Sequence, residues 1–216
     1  MCRNYIIHYS FYTTTMLTHR EYKVEIDENL VRKATYGIIT VGNPEYNMEF
    51  AELCIKYNVP IVFGMKCDSN AFPDHILKFM LENSEIIFMN DGERKDIEKR
   101  LGYGNIKDLF CDANAKCIVV TKGSKGSQVL YLEGDEIKAV DIKVVKPNRI
   151  VDTAGVGDAY IAGFMYGYFQ NKGFIKSAQV GSVFSSFIIE EMGCLSNIPT
   201  KEQVNQRYKT NYGGEL

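Results

Sequence analysis

The sequence predicts an α/β protein with three layers, in which a mostly parallel sheet is covered by helices on both faces. Short apolar runs rich in β-branched residues alternate with segments of helical periodicity, and strands that are apolar throughout are typical of parallel sheets. The chain has 216 residues, of which 45% are hydrophobic and 24% charged, as in one globular domain with a substantial core. We therefore predict a single domain over residues 1–216.

The first half of the chain is predicted to alternate strands with helices. Asn43 and Pro44 suit the N-cap and first turn of a helix on which Met48, Ala51 and Ile55 share one buried face. The predicted strands cover residues 36–41, 60–65, 85–90 and 117–123, and further helices cover residues 73–81 and 91–101.

The second half is predicted to begin with a hairpin and to continue with helices. Residues 127–133 and 137–145 alternate apolar and polar side chains, and the turn residues Gly134 and Asp135 separate them. Two helical segments, residues 153–170 and 175–191, are predicted to close the chain.

Charge and cysteine content exclude several classes of protein. The chain carries 25 basic and 27 acidic residues without a long block of one sign, so neither nucleic acid nor an anionic membrane is the expected partner. The N-terminus has the pattern of neither a signal peptide nor a membrane span. Six scattered cysteines without a C-x-x-C pair are typical of reduced thiols in a cytoplasmic protein. A small soluble molecule is the expected partner, and the oligomeric state stays open.

The stretch DTAGVGD, residues 152–158, is the first candidate site. Gly155, Val156 and Gly157 precede or begin a predicted helix, whose unpaired N–H groups and dipole favour an anion such as a phosphate. Asp158 is then explained as a base that takes the proton of an attacking hydroxyl, and the alternative is a helix cap. A β-branched residue at Gly157 is expected to block the phosphate and to disfavour a positive φ.

Two further stretches follow predicted strands, where ligands bind in open α/β sheets. In VTKGSKG, residues 120–126, a small hydroxyl residue and two glycines allow a nucleotide to approach closely, and the alternative is an ordinary hairpin turn. In NDGE, Asn90 and Glu93 suit a phosphate and a Mg²⁺-bound water, and the alternative is a capping box.

Taken in order, these motifs resemble those of the phosphofructokinase-B (ribokinase-like) carbohydrate and nucleoside kinases. DTAGVGD resembles the D-T-x-G-A-G-D signature, with Val156 in place of the usual alanine. NDGE resembles the N-x-x-E motif, TKGSKG the nucleotide-binding loop, and EEMGCLSNIPTKEQV the segment that closes the adenine pocket. The resemblance extends from about residue 36 to the end.

The resemblance implies a Rossmann-like fold and transfer of the ATP γ-phosphoryl group to a hydroxyl of a sugar or nucleoside. Asp158 corresponds to the base, and Gly155, Val156 and Gly157 to the anion hole. Glu93 would hold Mg²⁺ through water, and Asp152, beside Thr153, would lie near a monovalent cation or the substrate. The implied nucleotide-binding residues are Asn90, Thr121, Gly123, Ser124, Gly126, Gly157 and Gly193.

The chain departs from the family at its front, where longer members carry a βαβ region with a glycine pair and a lid over the sugar. Residues 1–30 are interpreted as the remnant of a lid or of an edge strand. Two hypotheses therefore stay open, an active kinase and a nucleotide-binding protein with weak or no catalysis. An NAD-dependent oxidoreductase is disfavoured because no G-x-G-x-x-G follows an early strand, and a Walker P-loop is absent.

Overall fold

The computed structural model describes the backbone of residues 6–7, and residues 25–66 and 69–216. The chain divides into two compact units, Met1–Ile118 and Val119–Leu216, which are taken in turn. The predicted single domain stays a prediction. No helix in the described part of the chain is long and apolar enough to cross a membrane.

In its described residues, the first unit contains four parallel strands with helices between them: β1 (Ile6–Ile7), β2 (Gly37–Ile39), β3 (Ile61–Gly64) and β4 (Ser84–Asn90). A further strand, β5 (Cys117–Thr121), begins at the end of this unit. Strands β1 to β4 adjoin one another in chain order, each parallel to the next. The N–H of Lys116 donates to the carbonyl of Glu85 at 2.8 Å, which places the residues leading into β5 beside β4. The helices are α1 (Glu28–Lys33), α2 (Pro44–Lys56), α3 (Asp74–Asn83), α4 (Asp91–Leu101) and α5 (Leu109–Asp112).

These bounds confirm the predicted alternation of strands and helices and add α1 and α5, which were not predicted. Of the predicted N-terminal lid or edge strand, Ile6–Ile7 pairs with β2, and residues 1–5 and 8–24 lie outside the described residues. Strands β2 and β3 are buried along their whole length, as a parallel sheet covered by helices requires.

The buried face of α2 differs from the prediction. Phe50, Ala51 and Cys54 are buried, whereas Ile55 is 43% exposed. The cause lies in β2, because a Cβ placed on Gly37 would come within 2.5 Å of the Cys54 sulfur. The missing side chain at Gly37 lets this side of α2 approach the strand.

The second unit contains a hairpin and three helices. Strands β6 (Ser127–Glu133) and β7 (Glu136–Ile142) are antiparallel, in a register that joins Ser127 to Ile142 and Glu133 to Glu136, which confirms the predicted hairpin. Helices α6 (Val156–Phe169) and α7 (Gly173–Ile188) match the two predicted helical segments.

A further helix, α8 (Lys201–Tyr212), follows α7, so the prediction that two helices close the chain was wrong. Thr200 and Gln203 form a capping box at its start, a local signal that the sequence contained. Only Val204 and Tyr208 of this helix are buried, so its apolar periodicity is weak. Both pack in a cluster with Val145, Val180, Val183 and Phe187.

Helices α6 and α7 approach each other closely through small residues. A Cβ on Gly163 would lie 2.8 Å from the Cβ of Phe184, and one on Gly167 would lie 3.0 Å from the Cα of Ser177. On the strand side, the Tyr160 hydroxyl in α6 hydrogen-bonds the Ser127 hydroxyl at 2.7 Å in a buried position. The orientation of α6 is therefore fixed on two sides.

Candidate functional site

The first turn of α6 carries the central residues of the candidate site. Gly155 is the N-cap and adopts a left-handed conformation, with φ 73° and ψ 0°, and its carbonyl accepts the N–H of Ala159 at 2.8 Å. Val156, Gly157 and Asp158 are the first three residues of the helix. The first N–H groups of a helix have no partner within the helix, and the dipole adds partial positive charge there. Of these groups, the Val156 N–H makes a long bond of 3.4 Å to the carbonyl of Thr153, which precedes the helix. This turn therefore suits an anion.

The expectation of a positive φ at Gly157 was wrong. Gly157 lies inside α6, in helical conformation, and Gly155 is the residue of this turn with a positive φ. L-residues other than glycine rarely adopt that conformation. The sharp entry into the helix therefore depends on Gly155, whereas Gly157 leaves the side of the first turn without a side chain.

Residues 152–157, called here the α6 entry loop, lie against residues 189–194, called here the post-α7 segment. A Cβ on Gly155 would come within 2.4 Å of the Cys194 Cβ, so only glycine fits this contact. Cys194 was not predicted, and its position beside Gly193 in the sequence was the only signal.

Asp152 joins the entry loop to the post-α7 segment. Its Oδ1 accepts the N–H of Ala154 at 2.9 Å, and its Oδ2 accepts the N–H of Gly193 at 2.9 Å. The hydrogen bonds from Ala154 and from Gly193 hold the pKa of this carboxyl below its usual range. The predicted adenine-pocket residue Gly193 is thus brought next to the DTAGVGD motif, and the cation role of Asp152 stays a prediction.

Backbone and side-chain hydrogen bonds support the same contact. The N–H of Val151 donates to the Ile189 carbonyl at 2.9 Å, and Arg149 Nε donates to the Glu190 carbonyl at 2.8 Å. The Ser185 hydroxyl of α7 donates to the carbonyl of Val156 at 3.0 Å. The start of α6 is therefore held from the end of α7 by several independent bonds.

The predicted nucleotide loop is a compact turn between β5 and β6. The Lys122 N–H donates to the Gly126 carbonyl at 2.8 Å, around a 3₁₀ turn at Gly123–Lys125. Gly126 has φ 86°, and a Cβ there would lie 2.1 Å from the Ile142 carbonyl oxygen, whereas Gly123 faces open space and Ser124 is exposed. The turn geometry of the alternative reading is therefore present, and the nucleotide role of Thr121, Gly123, Ser124 and Gly126 stays a prediction.

In the first unit, Asn90 and Glu93 form a capping box at the start of α4. Asn90 Oδ1 accepts the N–H of Glu93 at 2.9 Å, and Glu93 Oε2 accepts the N–H of Asn90 at 2.7 Å. Glu93 is 6% exposed and Asn90 is exposed. The capping alternative is thus realised in the geometry, while the roles in phosphate and Mg²⁺ binding stay predictions.

The sequence pattern of the pfkB family carbohydrate kinases matches residues 9–201. A nucleoside kinase of Methanocaldococcus jannaschii is 31% identical over 169 residues, which cover 78% of this chain and 53% of that protein. A 5-dehydro-2-deoxygluconokinase of Geobacillus kaustophilus is 28% identical over 175 residues, which cover 79% of this chain and 46% of that protein. The chain thus spans about half the length of these relatives.

Solved structures show the same fold. The crystal structure of the M. jannaschii nucleoside kinase, an archaeal member of the ribokinase family, superposes with a TM-score of 0.75 at 28% identity, covering 82% of this chain and 57% of that one. A nucleoside kinase of Burkholderia thailandensis in complex with inosine superposes with a TM-score of 0.77 at 19% identity, covering 88% of this chain and 63% of that one. The predicted ribokinase-like α/β fold is confirmed. With the DTAGVGD motif placed at the start of α6, the match over residues 9–201 shows that this chain belongs to the pfkB family of carbohydrate kinases.

Proposed function

We propose that this chain transfers the γ-phosphoryl group of ATP to a hydroxyl of a sugar or nucleoside, with Asp158 as the base. One observation carries the proposal. The left-handed Gly155 starts α6 so sharply that the N–H groups of Val156 and Gly157 and the exposed carboxylate of Asp158 share the first turn of one helix. An anion site and a proton acceptor are thus adjacent.

The two parts of this turn have separate tasks in phosphoryl transfer. The N–H groups at the start of α6 stabilise negative charge on the transferring group, because they are fixed in place before the reaction begins. Asp158 accepts the proton of the acceptor hydroxyl as its oxygen approaches phosphorus. The bonds that hold the entry loop fix the position of the first turn of α6, which carries both the N–H groups and the Asp158 carboxylate.

Glu93 supports a Mg²⁺ site that works through water. Its carboxylate supplies the oxygen donors that Mg²⁺ favours, and Oε2 is engaged by the Asn90 N–H, which suits a contact through a bound water. A Mg²⁺ ion held there would supply positive charge that neutralises the charge developing in phosphoryl transfer.

The relatives support the class of acceptor. Two of the similar proteins are nucleoside kinases, from M. jannaschii and Methanothermobacter thermautotrophicus, and others are 5-dehydro-2-deoxygluconokinases. A nucleoside is therefore the first acceptor to test, and a sugar or sugar acid is the second. A nucleotide-binding protein with weak or no catalysis is the second candidate function, because the start of α6 suits a phosphate whether or not an acceptor is bound.

The test is ATP consumption over a panel of adenosine, inosine, ribose, fructose and 5-dehydro-2-deoxygluconate. In the presence of the best acceptor, Asp158→Asn should lower the rate about 10²- to 10⁴-fold, the usual contribution of a general base. Its dissociation constant for ADP, measured by calorimetry, should stay close to that of the parent.

Asp135→Asn is the matched control, because Asp135 is an exposed carboxylate in the β6–β7 turn and the charge change is the same. We expect the parent rate for this variant. Turnover by Asp158→Asn at the parent rate would show that Asp158 is only a residue of the helix start. ADP binding without turnover on any acceptor would favour the second candidate function.

A further inference from the structure

Asp152 is engaged on both carboxylate oxygens by partners that are far apart in the chain. Ala154 lies two residues away in the entry loop, and Gly193 lies 41 residues away in the post-α7 segment. Residues 151–153 have no helical or strand structure, so the ladder bonds of regular secondary structure do not fix them. Their position depends on bonds of this kind.

We propose that Asp152 is a positioning residue that fastens the α6 entry loop to the post-α7 segment and so sets the direction of the N–H groups at the start of α6. The proposal rests on the proposed nucleotide-binding function of that turn. It assigns Asp152 a task that requires neither a cation nor a proton transfer.

The conformation of Gly193 explains why a carboxylate is needed. Gly193 has φ 85°. Glycine adopts this conformation readily, but it also adopts many others, because it has no side chain to restrict its backbone. The bond from its N–H to Asp152 Oδ2 restrains the segment at this point. A hydrogen bond to an ionised acceptor is roughly twice as strong as a neutral one, so an Asp restrains it better than an Asn.

The contact between Gly155 and Cys194 extends the restraint to the helix start. Gly193 is followed directly by Cys194, which lies against Gly155, the N-cap of α6. Loss of the bond between the Gly193 N–H and Asp152 therefore allows Cys194, which packs on the left-handed turn at Gly155, to move. Movement there changes the direction of the Val156 and Gly157 N–H groups, because these residues follow the turn.

Hydrogen exchange followed by mass spectrometry, on the full chain without any ligand, tests whether Asp152 holds the α6 entry loop to the post-α7 segment. The variants are Asp152→Ala, which removes both acceptors, and Asp152→Asn, which keeps the shape but places an NH₂ group against one N–H donor. We expect the amides of residues 153–157 and of residues 189–194 to exchange about tenfold faster together, since hydrogen bonds to a charged group are lost. Asp135→Asn should exchange at the parent rate.

Calorimetry with ADP tests the consequence for the site. The dissociation constant should rise about tenfold in both Asp152 variants, the effect expected for the loss of a charged hydrogen bond, and should stay unchanged in Asp135→Asn. If the parent binds no ADP, the proposed nucleotide function is refuted, while the exchange measurement still decides the role of Asp152.

Three results would overturn the proposal. Parent exchange rates in both segments would show that Asp152 holds nothing in place. Faster exchange throughout the second unit would show a general contribution to stability. A change confined to the K⁺ concentration that half-saturates activity, with parent exchange rates, would identify Asp152 as a cation ligand instead.

Discussion

Gly155→Ala is expected to lower the free energy of unfolding of the second unit more than a Gly→Ala substitution at another position with a positive φ. Two effects add at this position. A left-handed conformation costs an L-residue about 1–2 kcal/mol, and a Cβ at 2.4 Å from the Cys194 Cβ overpacks the contact, which costs about 1–3 kcal/mol. The expected loss in the free energy of unfolding is therefore about 2–5 kcal/mol.

Gly134→Ala separates the two effects. Gly134 also has a positive φ, 63°, but a Cβ there would meet nothing within 4 Å, and both glycines lie in the second unit. This control should lose only the conformational part, about 1–2 kcal/mol. The stabilisation that alanine gives by restricting the unfolded chain is common to both variants and cancels in the comparison.

Urea unfolding followed by circular dichroism measures the difference, and calorimetry with ADP measures its effect on the site. Gly155→Ala should bind ADP more weakly than Gly134→Ala. Adding Cys194→Gly should recover the overpacking part, because it removes the Cβ that clashes, and the double-mutant cycle isolates this term. Equal unfolding midpoints for Gly155→Ala and Gly134→Ala would refute the argument.

Three further predictions concern charged groups. Glu93→Gln should raise the Mg²⁺ concentration that half-saturates ATP consumption, since a neutral amide holds the ion less well, and an unaltered Mg²⁺ dependence would leave Glu93 as a cap alone. Arg207→Ala should lower the free energy of unfolding by about 3–5 kcal/mol, because it leaves the buried Glu190, now bonded to Arg207 at 2.9 Å, without its ion-pair partner; a loss below 1 kcal/mol in urea unfolding would contradict this. The pKa of Asp152 is lowered on folding, so its contribution to stability is present above about pH 4 and is lost as the pH falls through the folded-state pKa. The difference in the free energy of unfolding between the parent and Asp152→Asn should therefore shrink as the pH falls through that range. The nearby charged residues Arg149, Glu190 and Glu191 are present in both proteins and affect both alike.

Elements with local signals could be predicted from the sequence. Helix α4 was predicted at residues 91–101 and occupies those residues. Asn90 and Glu93 at its start and Gly102, which adopts φ 73°, at its end are signals that the sequence contains beside the helix. The apolar runs of β3 and β4 and the alternation of apolar and polar residues in the β6–β7 hairpin were also sufficient to predict these strands. Each of these signals lies within the element or directly beside it.

Features that depend on distant contacts could not be predicted. The buried face of α2 is set by Gly37, which lies in another element. Which glycine of the DTAGVGD motif takes the left-handed conformation depends on where α6 begins, and the partner of Asp152 at Gly193 is 41 residues away. Such pairings follow from the packing of α6 and α7, which cannot be predicted from any single stretch of the sequence.

The close approach of α6 and α7 has a consequence for the far end of α6. The helix has 14 residues and is therefore about 21 Å long. If it pivoted by about 5° at its C-terminal end, its first turn would move by roughly 2 Å, and a misplacement of 1 Å can slow a reaction about 10²-fold. Gly163 and Gly167 allow α7 to hold α6 along its length. A methyl group at either glycine would thus act as a wedge, and it would misalign Asp158 from a distance without touching it.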